Sequence, residues 1–165
     1  MTVMLEDLAP VYDMDGNVVK PGRIWGHRIV RPCIIQGKVV PDYYIDLDGD
    51  LWSTKNKFPE YRSPNYNKRY PMVGLRVNGE PVSIEIHNLV CQTWYNKPYK
   101  PNCISDADWE VTPEPVRRLC DQLYEAHHID HDTHNHNPGN MEWLTKKENR
   151  LAWIAHRKKS QEEDN

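Results

Sequence analysis

The segment that most constrains the fold covers residues 127–149, HHIDHDTHNHNPGNMEWLTKKEN, and contains five of the eight histidines in the chain. Histidine titrates near neutral pH and ligates metals, and such a density is not typical of a hydrophobic core. The pattern predicts a strand ending at residue 128, a polar loop that turns at residues 137–140, and a return strand over residues 141–144. A helix is predicted next, because Thr145 and Glu148 have the spacing of a capping box.

The predicted helix continues to residue 156. A strand, loop, strand and helix of this size bury too little apolar surface to fold alone. The unit must therefore rest on the remainder of the domain or on a bound metal ion. Four helix residues are expected to make the packing contacts: Leu151, Trp153, Ile154 and Ala155.

Two hairpins are predicted upstream of this unit. The first spans residues 43–53 and turns at Asp48-Gly49-Asp50. The second spans residues 72–86 and turns at Asn78-Gly79, one of the strongest hairpin signals known from sequence. Together they predict a small antiparallel sheet, and the apolar spacing over residues 87–95 predicts a short helix after it.

The segments around these hairpins have weaker patterns. Residues 1–42 are predicted to form turns and short strands, with a turn at Asp15-Gly16-Asn17, and residues 96–111 an irregular loop. A further helix is predicted to begin with Thr112 as N-cap and Pro113 at its first position. Its apolar residues have helical spacing and are expected to share one face: Val116, Leu119, Cys120, Leu123 and Tyr124.

Length and composition limit the class of protein. With 165 residues and 38% hydrophobic content, the chain suits about one domain with a modest core. No apolar run approaches the roughly 20 residues that span a bilayer, and residues 1–10 lack the basic start and apolar core of a signal peptide. We therefore expect no membrane partner, no secretion and a cytoplasmic location.

Charge is unevenly distributed along the chain. The net charge of −3 divides into −3 over residues 1–54, +5 over residues 55–100, −7 over residues 101–142 and +2 over residues 143–165. A protein that binds DNA mainly through long-range attraction would be basic throughout. Any contact with a polyanion must therefore be local.

Residues 55–71, KNKFPEYRSPNYNKRYP, combine five basic residues with four aromatic residues and one acidic residue. Interleaved basic and aromatic side chains suit a groove that holds phosphates and bases. A solvated connecting loop, with its aromatic side chains packed back on the sheet, explains the same pattern. The candidate DNA-binding residues of this loop are Lys55, Lys57, Arg62, Lys68 and Arg69.

Three short motifs lie in one register: His128-Ile129-Asp130, then Asn140-Met141-Glu142-Trp143-Leu144-Thr145, then Lys147-Glu148-Asn149. In these motifs, and over about residues 43–157, the chain resembles the HNH (His-Me finger) endonucleases, particularly the phage and intron-encoded homing type. The resemblance implies an α+β fold in which a small antiparallel sheet domain precedes a ββα-metal finger.

The resemblance also implies a division of the chain into parts. Residues 1–100 are expected to form a β-rich region that contacts DNA, and residues 101–126 an acidic loop and linking helix. Residues 127–157 are expected to form the catalytic finger, and residues 158–165 a polar tail.

Each motif residue acquires a role from the resemblance. His128 is the general base that deprotonates water, and Asn140 braces the loop that orients it. His127 and Asn149 hold one divalent metal ion, Mg²⁺ or Mn²⁺, which neutralises charge on the phosphate and the departing 3′ oxygen. Consecutive strand residues point to opposite sides, so the two histidines are not expected to share a task. Further candidate DNA contacts are Lys146, Lys147 and Arg150.

The expected function is hydrolysis of phosphodiester bonds in double-stranded DNA, one strand at a time, by a monomer or a homodimer. The alternative is a non-catalytic nucleic-acid-binding or phage packaging accessory module that keeps the finger as a scaffold. For the remaining loop histidines three roles stay open: zinc binding, contact with DNA, or simple solvation. These histidines are His131, His134 and His136.

Overall fold

A computed structural model describes residues 28–163 in full and, before them, only the backbone of three short strands. The strands are β1 (Val11–Tyr12), β2 (Val18–Val19), β3 (Arg23–Trp25), β4 (Arg28–Ile35), β5 (Lys38–Asp46), β6 (Leu51–Ser53), β7 (Glu60–Tyr61), β8 (Met72–Val77), β9 (Glu80–Glu85), β10 (Tyr124–His128) and β11 (Met141–Thr145). The helices are α1 (Ile86–Trp94), α2 (Asp106–Val111), α3 (Glu114–Asp121) and α4 (Lys146–Glu163), with a 3₁₀ turn at Pro138–Asn140. The turn predicted at Asp15-Gly16-Asn17 lies outside the described residues.

The fold is mixed α/β and contains several small antiparallel sheets. Strands β3 to β7 form a five-stranded sheet in sequence order, and β1–β2, β8–β9 and β10–β11 form separate pairs. Both predicted hairpins are confirmed, but the prediction that they share one sheet is wrong. Strand β7 pairs with β6, Trp52 opposite Tyr61, and so occupies the edge that β8 would need.

The β8–β9 turn follows directly from its sequence. Asn78 and Gly79 have φ values of 52° and 84°, and these left-handed conformations match the twist of the flanking strands. Strand β9 ends at Glu85, one residue earlier than the alternating pattern predicts, because Ile86 already belongs to α1.

The predicted short helix is confirmed as α1, and it lies at the centre of the core. Leu89, Val90 and Trp94 are almost completely buried, and α1 contacts β4, β10 and β11. The Tyr95 hydroxyl after α1 donates to the Pro138 carbonyl at 2.6 Å. The helix therefore connects the five-stranded sheet to the β10–β11 hairpin and fixes the position of that hairpin.

The prediction of an irregular loop over residues 96–111 is wrong, because α2 forms there. Ser105 caps the helix: its hydroxyl accepts from the Asp108 backbone N–H at 3.1 Å and donates to the Asp108 carboxylate at 2.6 Å. This local capping and the burial of Trp109 stabilise a helix that two nearby prolines had made unexpected.

The third predicted helix exists as α3, but its ends and its apolar face differ from the prediction. Pro113, not Thr112, is the N-cap, and Tyr124 belongs to β10, where it pairs with Thr145. No residue of α3 is buried, and Leu119 is 61% exposed. Leu123 and Tyr124 lie beyond the end of α3 and do not share a helical face with its apolar residues, because strand pairing takes Tyr124 into β10.

The helix after the capping box is confirmed as α4, but its predicted packing positions are wrong. Leu151, Trp153 and Ile154 are all exposed, and no residue of α4 is buried. The helix packs on a hairpin of only two strands, which is too narrow to cover an apolar face. Among the described residues, no helix is long and apolar enough to cross a membrane.

Candidate active site

A cleft of about 330 Å³ lies where the β10–β11 hairpin, the start of α4 and the chain before β8 meet. Its main lining residues come from three distant parts of the sequence: Arg69 and Tyr70, then His87 and Asn88 of α1, then His127, His128, Asn149 and Trp153. The fold thus brings the end of the basic loop to the histidine-rich segment.

His127 and Asn149 are in direct contact in this cleft. The Nδ1 atom of His127 lies 2.9 Å from the Oδ1 atom of Asn149. Asn149 also donates from Nδ2 to the Glu125 carboxylate at 3.0 Å, and this second bond turns its amide oxygen towards the histidine. The capping box formed by Thr145 and Glu148 starts α4 at the point that makes this contact possible.

These two side chains fit a small divalent cation. An amide oxygen suits Mg²⁺ and Mn²⁺, whereas an imidazole nitrogen suits transition metals, so the mixed pair fits Mn²⁺ at least as well as Mg²⁺. In the structure this contact is a hydrogen bond of 2.9 Å, which Nδ1–H of His127 donates to the amide oxygen of Asn149. Neighbouring ligands of an octahedral ion with bonds of about 2.0–2.1 Å have a similar separation. Ligation through Nδ1 would require the His127 proton to move to Nε2, which faces Glu142 at 3.9 Å.

His128 ends β10 and points to a different set of neighbours. Its side chain is 5% exposed, and its ring centre lies 4.8 Å from that of His87 and 6.4 Å from that of Tyr70. Burial, with smaller contributions from neighbouring histidines, lowers the pKa of His128 to about 4 despite the opposing charge of Asp130. The imidazole is therefore neutral at neutral pH and able to accept a proton.

Asn140 closes the loop that follows His128. Its Oδ1 atom accepts from the Asp130 backbone N–H at 3.0 Å, and its Nδ2 atom donates to the Asp130 carboxylate at 2.9 Å and to the Asn135 carbonyl at 2.8 Å. The Asn140 carbonyl accepts from the Ile129 backbone N–H at 2.8 Å. These contacts hold both ends of the loop, which suits the bracing role that the resemblance implies.

Three carboxylates in the β5–β6 turn could also hold a cation. Asp46, Asp48 and Asp50 offer oxygen atoms that all lie within 4.8 Å of one another. The Asp46 carboxylate, however, already accepts from the backbone N–H groups of Asp48 and Asp50, from Arg28 and from the Trp52 indole. Such saturation of the Asp46 carboxylate by donors is typical of a structural turn.

The five basic residues of the loop at 55–71 are all exposed, but they do not act as one group. Arg69 lines the cleft, and its guanidinium lies 5.5 Å from the centre of the Tyr70 ring. Lys55 and Arg62 instead line a second cavity of about 400 Å³ beside β8. Lys68 lies next to Arg69 in the sequence, and Lys57 lies 5.5 Å from the Phe58 ring.

Three basic residues at the start of α4 lie close in the sequence to Asn149, which lines the cleft. Lys146, Lys147 and Arg150 are exposed in its first two turns, on either side of Asn149 in the sequence. They are therefore free to approach a phosphate backbone without disturbing the contact between His127 and Asn149.

The loop histidines take separate positions. His131 stacks on His156 with ring centres 4.2 Å apart, whereas His134 and His136 lie beside Tyr66. Within the described part of the chain, the one group of three ligating side chains is the acidic group at Asp46, so the loop histidines do not form a zinc site there. His136 is 7% exposed, which is incompatible with simple solvation.

Two features of the site had no signal in the sequence. The sequence places His87 only at the start of the predicted short helix, but the structure places it in the cleft against His128. Gly49 lies against the His136 backbone so closely that a Cβ atom would overlap the carbonyl oxygen. The β5–β6 turn therefore touches the finger loop, residues 129–140. The sequence does not indicate this contact, because nearly ninety residues separate Gly49 from His136.

No protein-family model and no curated protein matches the chain. Among solved structures, the HNH homing endonuclease I-HmuI, whose DNA binding and cleavage that structure describes, aligns with 74% of this chain at 18% sequence identity and a TM-score of 0.49. The chain spans 59% of the length of that protein. A likeness at this level does not establish membership of a family.

Proposed function

We propose that this protein is a metal-dependent DNA endonuclease. The observation that carries the proposal is the meeting, in one cleft, of the neutral imidazole of His128 with the donor pair His127 and Asn149. A proton acceptor beside a cation site is the minimum that phosphodiester hydrolysis requires. The order of the motifs, similar to that of the HNH endonucleases, supports the same reaction.

In the proposed reaction, His128 accepts a proton from a water molecule as the water oxygen bonds to phosphorus. The bond between phosphorus and the 3′ oxygen breaks, and that oxygen takes a proton from solvent. Asn140 keeps the loop after His128 closed, so the ring holds its position during the step. A Mg²⁺ or Mn²⁺ ion bound by His127 and Asn149 would neutralise charge on the phosphate and on the departing oxygen.

The charge pattern supports duplex DNA as the partner. Residues 101–142, which include the strand that ends with His127 and His128, carry a net charge of −7 and would repel a duplex. Basic residues elsewhere must therefore hold the phosphate backbone. Arg69 lines the cleft. We expect Lys68, beside it in the sequence, and the exposed basic residues in the first turns of α4 to contact the same phosphate backbone.

A single cleft of this kind acts on one phosphodiester at a time. A monomer should therefore nick a duplex, whereas a double-strand break requires a dimer or two successive nicks.

Supercoiled plasmid tests this function directly. We expect the purified protein to convert it to the relaxed circle with Mg²⁺ or Mn²⁺ and to leave it supercoiled with a chelator. A non-catalytic binding module would retard the plasmid on a gel in both conditions without cutting it, and that result would refute the proposal.

A further inference from the structure

His87 is a buried histidine of the cleft to which the proposed reaction gives no role. It is the second residue of α1, its side chain is 5% exposed, and its ring centre lies 4.8 Å from that of His128. Tyr70 covers both rings, at 5.1 Å from His87 and 6.4 Å from His128. The two imidazoles therefore share one enclosed part of the cleft.

Each of these rings has a buried nitrogen with unused hydrogen-bonding capacity. Within the described residues, neither Nδ1 of His87 nor Nε2 of His128 has a hydrogen-bond partner. Buried polar atoms are nearly always paired, because an unpaired one loses its bonds to water without compensation. Two such atoms on rings in contact indicate a hydrogen bond that forms in another state of the site.

Glu85 determines which His87 nitrogen can accept. The Nε2 atom of His87 lies 3.6 Å from the Glu85 carboxylate, which is itself held by Asn88 at 2.7 Å. This carboxylate favours the tautomer with the proton on Nε2 and leaves Nδ1 as an acceptor. Burial, together with the charges of His128 and His136, lowers the pKa of His87 to about 4, so the ring is neutral and can play this part.

We propose that His87 is a positioning residue for His128, with its Nδ1 atom accepting a hydrogen bond from Nε2–H of His128 while Glu85 holds the His87 tautomer. This inference rests on the proposed function, because it deepens the role of His128. The bond fixes the His128 proton on Nε2 and leaves Nδ1 of His128 as the atom that accepts the proton of water.

The hydrogen bond matters most during the reaction. When His128 accepts the proton, both of its ring nitrogens carry hydrogen, and the buried Nε2–H needs an acceptor. His87 supplies one, and the proton stays on His128. Hydrogen bonds of catalytic groups are often long or poorly aligned in the free enzyme and tighten only with substrate.

Two substitutions at His87 separate this role from simple packing. Asparagine places its amide oxygen where Nδ1 of His87 lies, whereas glutamine places a polar group nearer the position of Nε2. We expect His87→Gln to lower kcat by about 10- to 100-fold, the usual cost of losing a group that orients a functional histidine. KM and the Kd for DNA should stay unchanged, and His87→Asn should recover most of kcat.

The inference is overturned if His87→Gln keeps the kcat of the wild type, or if both variants lose kcat equally. A second measurement uses the unmodified protein: ¹⁵N NMR of the histidine rings should show His87 with its proton on Nε2, and a proton on Nδ1 would refute the proposal even if the variants failed to fold. His128→Ala, assayed in parallel, tests the proposed function separately. If His128→Ala is inactive and His87→Gln is fully active, the proposed role of His87 is refuted and the proposed function is not.

Discussion

The Nδ1 atom of His127 lies 2.9 Å from the Oδ1 atom of Asn149, although 22 positions separate the two residues in the chain. Three local features produce this contact: the antiparallel pairing of β10 with β11, the capping box that begins α4, and the bond from Asn149 to Glu125. The strand end and the first helical turn therefore form one unit.

The first prediction concerns the metal. His127→Ala and Asn149→Ala should each weaken Mn²⁺ binding by more than about tenfold, because each removes one of two protein ligands. Calorimetric titration of the purified protein with Mn²⁺ measures the change. Asp48→Asn is the matched control, since it alters the acidic group at the β5–β6 turn and should leave binding unchanged. If only Asp48→Asn loses Mn²⁺ binding, the metal site lies in the β5–β6 turn and not at His127 and Asn149.

The second prediction concerns the basic loop. Lys68→Ala combined with Arg69→Ala should flatten the dependence of log K for duplex DNA on log salt by about 1.8, because each phosphate contact contributes about 0.9. Binding titrations at several salt concentrations give the slope. Lys38→Ala combined with Arg118→Ala removes the same charge outside the cleft and should leave the slope unchanged. If the Lys68→Ala, Arg69→Ala double variant has the same slope as the wild type, the loop is a solvated connector that does not contact DNA.

The third prediction concerns the contact between the β5–β6 turn and the finger loop. Gly49 has a φ of 85°, and a Cβ atom there would overlap the His136 carbonyl. Gly79 has a φ of 84° with nothing within 4 Å of a Cβ atom, so it shares the backbone strain without the clash. Gly49→Ala should therefore lower the free energy of unfolding by more than about 1 kcal/mol. The loss in Gly79→Ala should be smaller. Equal losses in chemical denaturation would show that the two loops do not touch.

The fourth prediction concerns the capping box. Thr145→Ala should lower the free energy of unfolding by about 0.5–2 kcal/mol, whereas Ser160→Ala near the end of the same helix should change it little. Hydrogen bonds from the backbone and side chain of Thr145 hold the pKa of Glu148 below its usual value.

A lowered pKa in the folded state means that Glu148 stabilises the protein above its unfolded pKa and loses this effect as the pH falls. The stability difference between wild type and Glu148→Gln should therefore be largest near neutral pH. It should shrink as the pH falls below about 4.5, the unfolded value. Denaturation curves at several pH values check this, and a difference that grows in acid would contradict the assigned hydrogen bonds.

The local parts of the fold were predictable from the sequence. Asn78-Gly79 specifies its turn through backbone conformation, and Thr145 with Glu148 specifies a helix start through hydrogen bonds three residues apart. Both signals depend only on residues close together in the chain, so they can be recognised from a single sequence. The strands and helices around the cleft were correct for that reason.

The errors came from contacts between distant segments. Glu60–Tyr61 pairs with the edge of β6, so β8 and β9 form a separate sheet instead of joining β5 and β6 as predicted. Tyr124 was assigned to a helix because its spacing suited one, but pairing with Thr145 draws it into β10. His87 was missed for the same reason, since its importance depends on a ring that lies 41 positions further along the chain.

The most direct measurement of the central claim is the cleavage rate of His128→Ala on supercoiled plasmid with Mg²⁺ or Mn²⁺. The substitution removes the proposed general base and neither of the proposed metal ligands. We therefore expect the rate to fall by about 10² to 10⁴, while the Kd for DNA and the affinity for Mn²⁺ stay near those of the wild type. A rate within about tenfold of the wild type would contradict the account, because a general base contributes more than that.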